Sequence, residues 1–184
     1  MQLVPENIFL TKGIGHHQKK LISFELALRS AGIETCNLIS VSSILPPGCQ
    51  VIPRNEGIKL LRPGQITFAV IARESTNEPN RLIAASVGLA QPVDPNDYGY
   101  ISEHHGFGET EEQASEFAED LAADMLASAH GLDIDITTGK VRNQYEHSYI
   151  IDENTIFKTR YITQTEKGHE DGLWTTVVAA AVML

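Results

Sequence analysis

Cysteine is scarce in this chain: Cys36 and Cys49 are the two in 184 residues. Two thiols build neither a disulfide framework nor a cysteine-rich zinc cluster, so the sequence reads as that of a cytoplasmic protein with reduced thiols. Long apolar runs are missing too. The longest stretch, 173–184, is interrupted by Thr175 and Thr176. It falls short of the ~18 residues of a membrane span and reads as a buried strand. The opening MQLVPENIFLTKG has no basic region followed by an apolar one, so no signal peptide is expected. Basic charge is low as well, with 14 Lys and Arg against 24 Asp and Glu, net −10. Such a chain repels phosphate backbones and attracts small cations, so neither a nucleic acid nor a membrane is an expected partner. There is no P-loop, no Gly-x-Gly-x-x-Gly behind a strand and no His-Glu-x-x-His. The pairs His16-His17 and His104-His105 are sequence neighbours, which point to opposite faces of a strand. No metal site is expected from them.

What is present suits one globular domain spanning 1–184. Hydrophobic residues make up 42% and charged residues 21%, close to soluble averages. Two segments carry helical spacing. In 17–31, Leu21, Phe24, Leu28 and Ala31 predict one apolar face, widened by Ile22 and Leu26, with Gly32 as the stop. In 111–130, Ala114, Phe117, Ala118, Leu121 and Met125 predict another. Thr110 and Gln113 form a capping box there, and Gly131 ends the helix. Strands are expected at 8–11, 36–42, 65–72, 82–90, 99–103, 143–151, 155–163 and 173–183. Several are continuous apolar runs, as in strands covered on both faces. Asp152-Glu153-Asn154 would turn a hairpin. The fold class is α+β, with mostly antiparallel sheets and helices packed outside.

One segment stands out. A strand carries Asn37, ends in Ser42-Ser43 and runs into Pro46-Pro47-Gly48. By residue type, these are either ordinary small hydroxyls ahead of a turn or a self-processing site. In the second case a serine hydroxyl attacks the preceding carbonyl, and the resulting ester breaks by β-elimination. The new terminus then loses ammonia and becomes a pyruvoyl group. That carbonyl forms a Schiff base with a substrate amine and acts as an electron sink.

The stretch Ala31-Gly32-Ile33-x-x-x-Asn37-Leu38-Ile39-x-Val41-Ser42-Ser43-Ile44-Leu45-Pro46-Pro47 resembles the processing segment of the pyruvoyl-dependent arginine decarboxylases. Tyr98-Gly99-Tyr100-Ile101-Ser102-Glu103-His104-His105-Gly106 extends the resemblance, as do the acidic, alanine-rich helix and the alanine-rich last strand. The resemblance implies an αββα-type sandwich and self-cleavage between 42 and 43, giving a β chain 1–42 and an α chain 43–184. Ser43 would become the covalent pyruvoyl cofactor, and Ser42 would precede the cut. Asn37 would assist processing and substrate positioning, an amide being able to donate to an oxyanion without adding charge. Glu103 would reprotonate the α-carbon after CO₂ leaves, with Ile101 and Tyr100 as an apolar wall. Leu28 and Ile101 would contact the substrate. Glu25 stands where the family commonly has an aspartate that pairs with a guanidinium. The implied reaction turns L-arginine into agmatine and CO₂ in a trimer or dimer of trimers. The longer glutamate keeps open a different amino acid as substrate, and an uncleaved scaffold is the non-enzymatic alternative. Residues 133–169 are longer and more polar than in compact members and are expected to form an added hairpin.

Overall fold

The structure, a computed structural model, describes residues 3–131, 142–143, 148–150 and 156–184. Two sheets stack face to face, and helices cover their outer sides. The first sheet contains β1 (Asn7–His17), β2 (Asn37–Ser40), β4 (Gln50–Val51), β5 (Ile66–Thr76) and β11 (Trp174–Met183) in the order β2-β5-β11-β1-β4. The second contains β3 (Ile44–Leu45), β6 (Leu82–Pro92), β7 (Gly99–Phe107), β8 (Arg142–Asn143), β9 (Ser148–Ile150) and β10 (Ile156–Lys167) in the order β3-β7-β6-β10-β9-β8. Helix α1 (Lys20–Ala31) lies on the first sheet and α3 (Glu111–Ala129) on the second, while α2 (Arg54–Leu60) packs beside β1. This is the expected α+β sandwich.

Alternation along the strands builds the core. Ile8 on β1, Val70 and Ala72 on β5, and Val177, Ala179 and Ala181 on β11 face the second sheet. There they meet Ile83, Ala85, Val87 and Leu89 of β6 and Ile101 of β7. The alternate residues Phe9, Ala69, Ala180 and Val182 face outward to the helical layer. The last strand is therefore apolar throughout because both of its faces are covered.

The helices reach the sheets through small residues. A Cβ at Gly13 would lie 2.1 Å from the Ala27 carbonyl oxygen, and one at Gly15 would lie 2.2 Å from that of Ser23. Helix α1 thus rests directly on β1 along Ser23, Ala27 and Ala31, all buried, and Thr11 Oγ1 donates to the Ala31 carbonyl at 2.6 Å. Gly88 does the same for α3, where a Cβ would come within 2.0 Å of the Ala118 carbonyl oxygen. The buried face of α3 includes Ala114, Ala118, Ala122 and Ala127. Close approach of helix to sheet leaves no room for large side chains, which move to the flanks. Leu21 is accordingly 78% exposed and Phe117 53%. The stripes expected from hydrophobic periodicity are therefore rotated from the observed ones.

Other boundaries also differ. β1 continues through Lys12-Gly13-Ile14-Gly15-His16-His17, so α1 starts at Lys20 instead of 17. Helix α2 was not expected. It begins after Pro53, and Gly57 lets it approach the Phe9 ring. The capping box of α3 forms as read, with Gln113 N donating to Thr110 Oγ1 at 3.2 Å and Thr110 N donating to Gln113 Oε1 at 2.9 Å. Within 133–169, β8 and β9 pair antiparallel at the sheet edge, as an added hairpin would, and β9 pairs antiparallel with β10, but the stretch is not all peripheral. β10 pairs with β6 from Phe157↔Pro92 to Lys167↔Leu82, an interior strand of the second sheet. The expected turn at 152–154 lies outside the described residues. Among the described residues, no helix is long and apolar enough to cross a membrane.

Candidate active site

The site forms where the two sheets come apart. β2 is the edge strand of the first sheet and pairs in parallel with only the beginning of β5, from Asn37↔Ile66 to Ser40↔Ala69. Val41 N donates to the Ala69 carbonyl at 3.1 Å as the last rung. The chain then crosses to the second sheet. The Ser43 carbonyl accepts from Ile101 N at 2.7 Å, and Ile44 pairs with Tyr100 on β7. Val41, Ser42 and Ser43 therefore bridge one sheet to the other. Beyond this bridge, β5 and β7 run on with no ladder partner on that side among the described residues.

The two free edges, with α1 above them, border an open cleft of about 610 Å³. Asn37 and Ser40 line it from β2, Phe24 and Leu28 from α1, Arg73 from β5, and Glu103 and His105 from β7. Of the residues singled out in the sequence, the fold brings together Leu28, Asn37 and Glu103. The period of two on β7 explains the placement of Glu103. Ile101, Glu103 and His105 share one face, with Ile101 sealed in the core and Glu103 emerging where the sheets part. Ser102, on the other face, donates its hydroxyl to the Ala118 carbonyl beneath α3.

Asn37 is held from behind, its Nδ2 donating to the Gly64 carbonyl at 3.0 Å. Gly64 sits at φ 81°, a left-handed conformation that glycine adopts without cost, in the turn Arg62-Pro63-Gly64. Across the cleft, His105 Nδ1 donates to Glu74 Oε2 at 3.0 Å. Glu74 Oε1 accepts in turn from Ser75 N at 2.8 Å.

Other expected site residues lie elsewhere. Ser42 is exposed and lines a separate apolar groove of about 420 Å³ on the other side of the bridge, with Val4, Pro46, Pro47 and Phe68. Ser43 is half-buried and lines neither space. Ile101 reaches the bridge through its backbone N–H, its side chain being fully buried in the core. It does not form the apolar wall that was expected beside Glu103. Tyr100 faces the opposite side and packs near Ala122 and Phe157. Glu25 is on the flank of α1, and its carboxylate accepts from Arg29 Nη2 at 2.6 Å. Sequence reasoning did not single out Arg73. Its guanidinium lies 4.4 Å over the Phe24 ring inside the cleft. The available signal was the charged pair Arg73-Glu74 at the end of the apolar run of β5. Among the described residues, no group of three His, Cys, Asp or Glu could hold a metal ion.

Comparison with known proteins shows the family of the chain. The family model described as pyruvoyl-dependent arginine decarboxylase (PvlArgDC) matches residues 7–184. The chain belongs to the pyruvoyl-dependent arginine decarboxylase family. A probable pyruvoyl-dependent arginine decarboxylase of Chloroherpeton thalassium is 54% identical over 184 residues, covering 100% of both chains. Another, of Chlorobium phaeovibrioides, is 56% identical over 100% of this chain and 99% of its own. The pyruvoyl-dependent arginine decarboxylase of Methanococcoides burtonii is 52% identical over 99% of each. The family match thus takes in the bridge, both edges of the cleft and the helix above it.

Proposed function

We propose that this chain is a self-processing decarboxylase that converts L-arginine to agmatine and CO₂. The observation that carries the reading is the position of Ser42-Ser43. The pair forms the bridge between the sheets, one step from a cleft that already holds Asn37 and Glu103.

The residues present suit a pyruvoyl group made from Ser43. The bridge leaves the ladder of one sheet before entering that of the other, so the Ser42–Ser43 peptide is free of strand pairing. Ile101 N–H anchors the Ser43 carbonyl on the downstream side. In processing, the Ser43 hydroxyl attacks the Ser42 carbonyl carbon, and the Ser43 nitrogen leaves as the ester forms. Elimination of the ester breaks the chain, leaving a carboxyl terminus on Ser42. Hydrolysis of the new first residue of the larger fragment then releases ammonia. Once bound in place, a pyruvoyl carbonyl supplies an electron sink for a substrate amine.

The remaining work falls to side chains of the cleft. Asn37, fixed by Gly64, offers its second N–H to an oxygen that gains charge near the bridge. Glu103 gives a proton to the α-carbon after CO₂ has left. Leu28 packs against the aliphatic part of the substrate. Glu25 lies on the flank of α1, outside the lining of this cleft and paired with Arg29; the resemblance gives its carboxylate the substrate guanidinium. A trimer, as the family resemblance implies, would close the open side of the cleft. The free thiols Cys36 and Cys49 support a cytoplasmic location.

A denaturing mass spectrum of freshly purified protein tests the reading. Two fragments split after Ser42 are expected, the larger lighter by one ammonia than its sequence. Ser43→Ala should remain one inactive chain of 20.2 kDa. Glu103→Gln should be processed but turn over slowly. A wild-type chain that stays intact on long incubation would overturn the proposal.

A further inference from the structure

The cleft contains a cation that the proposed chemistry does not use. Arg73 extends from the free edge of β5, and its guanidinium is seated on the Phe24 ring at 4.4 Å. It lines the same space as Asn37, Leu28 and Glu103. Among the described residues, it forms no ion pair with a carboxylate. Glu74, its neighbour on the strand, is committed to His105 and to Ser75 N–H. A guanidinium seated in a substrate cleft without a carboxylate partner adds a fixed positive charge that acts on whatever ligand enters.

We propose that Arg73 sets the preference of this cleft for the amino acid over the amine that decarboxylation makes from it. The inference rests on the decarboxylase reading above. Substrate and product share the same guanidinium, methylene chain and amine, and differ by one carboxylate. Arginine therefore enters with one net positive charge, and agmatine leaves with two. A fixed cation disfavours the second more than the first wherever along the cleft the carboxylate lies. Arg73 thus weakens product binding relative to substrate binding. The effect concerns binding, so it appears in KM and in product inhibition more than in kcat.

The test compares wild type, Arg73→Gln and Arg73→Lys, each first shown by mass to be processed. The measured quantity is Ki for agmatine divided by KM for arginine. Loss of the charge should lower that ratio about fivefold, the order expected of one unit charge acting across a solvated cleft. Arg73→Lys keeps the charge but not the planar stack, and its ratio should stay within about twofold of wild type. A role limited to packing on Phe24 would move both constants together and leave the ratio unchanged. An unchanged ratio in Arg73→Gln, or an equal fall in Arg73→Lys, overturns the proposal. Arg73→Ala replaces the Gln variant if that one does not accumulate. A processed wild type with no arginine turnover would instead strike the decarboxylase reading itself.

Discussion

Replacing Gly13 with alanine should loosen the whole α1 side of the molecule, including the wall of the cleft. The added Cβ would lie 2.1 Å from the Ala27 carbonyl oxygen, 2.6 Å from Ala31 N and 3.1 Å from Ala31 Cβ. Two of these atoms are helix backbone, so no rotamer change relieves them. Ordinary contact needs ~3.5 Å, so α1 has to retreat by about 1.4 Å from the nearest atom at 2.1 Å. That retreat stretches the 2.6 Å bond from Thr11 Oγ1 to the Ala31 carbonyl. Overpacking of this kind costs ~1–3 kcal/mol, and rigid neighbours put Gly13 near the upper end. Removing a glycine from a strand returns about 0.5–1 kcal/mol. The net loss is about 2 kcal/mol, which for a chain of this length lowers Tm by roughly 4–8 °C. Because Phe24 and Leu28 ride on α1, KM should rise in the same variant. Differential scanning calorimetry with steady-state kinetics measures both. A Tm within about 1 °C of wild type would show that helix and strand are not in the close contact on which this reasoning depends.

Two further outcomes follow from buried groups. Among the described residues, Thr67 Oγ1 is buried without a hydrogen-bond partner, so Thr67→Val removes a desolvated hydroxyl while keeping the shape. It should raise stability by about 0.5–1 kcal/mol, and a drop in Tm would contradict the orphaned hydroxyl. Burial pushes the Cys49 thiol up to about 11, whereas Cys36 is partly exposed at the cleft. At pH 8 an alkylating reagent should therefore label Cys36 in the native protein and Cys49 only after denaturation, because the thiolate is the reactive form. Equal labelling rates in the native protein, followed by peptide mapping, would refute this.

Much of the architecture could be read from the chain, and the misses share a cause. The capping box at Thr110 and Gln113 and the stop at Gly32 are local signals, and both held. Which stripe of each helix faces inward did not follow from hydrophobicity. Large residues such as Leu21 and Phe117 are displaced to the flanks because Gly13, Gly15 and Gly88 bring strand and helix backbones together. The same glycines hid the second half of β1, since glycine weakens strand patterning unless a packed neighbour is known. Asn37 and Glu103 stood out because they sit in unusual runs of residues, and the fold sets both on one cleft. Arg73 did not, because only the pairing of β2 with the first half of β5 leaves its edge open to the cleft. Ile101 was placed in the site by its position beside Glu103. Strand alternation and the core give its side chain to the interior and only its N–H to the bridge.

The strand order of the first sheet bears on what a cut after Ser42 would leave behind. β1 is flanked by β11 and β4 and makes a ten-residue antiparallel ladder with β11, from Ile8↔Met183 to His17↔Trp174. β1 and β2 would belong to the small fragment, and β4, β5 and β11 to the large one. The nicked protein would then be a two-chain complex in which each chain supplies strands that the other lacks. The small fragment would act as a permanently donated strand and helix. Without it the large fragment would have an open slot between β11 and β4 and would lose one wall of its cleft. The two pieces would therefore melt together in one transition, and free small fragment would not exchange into the native protein.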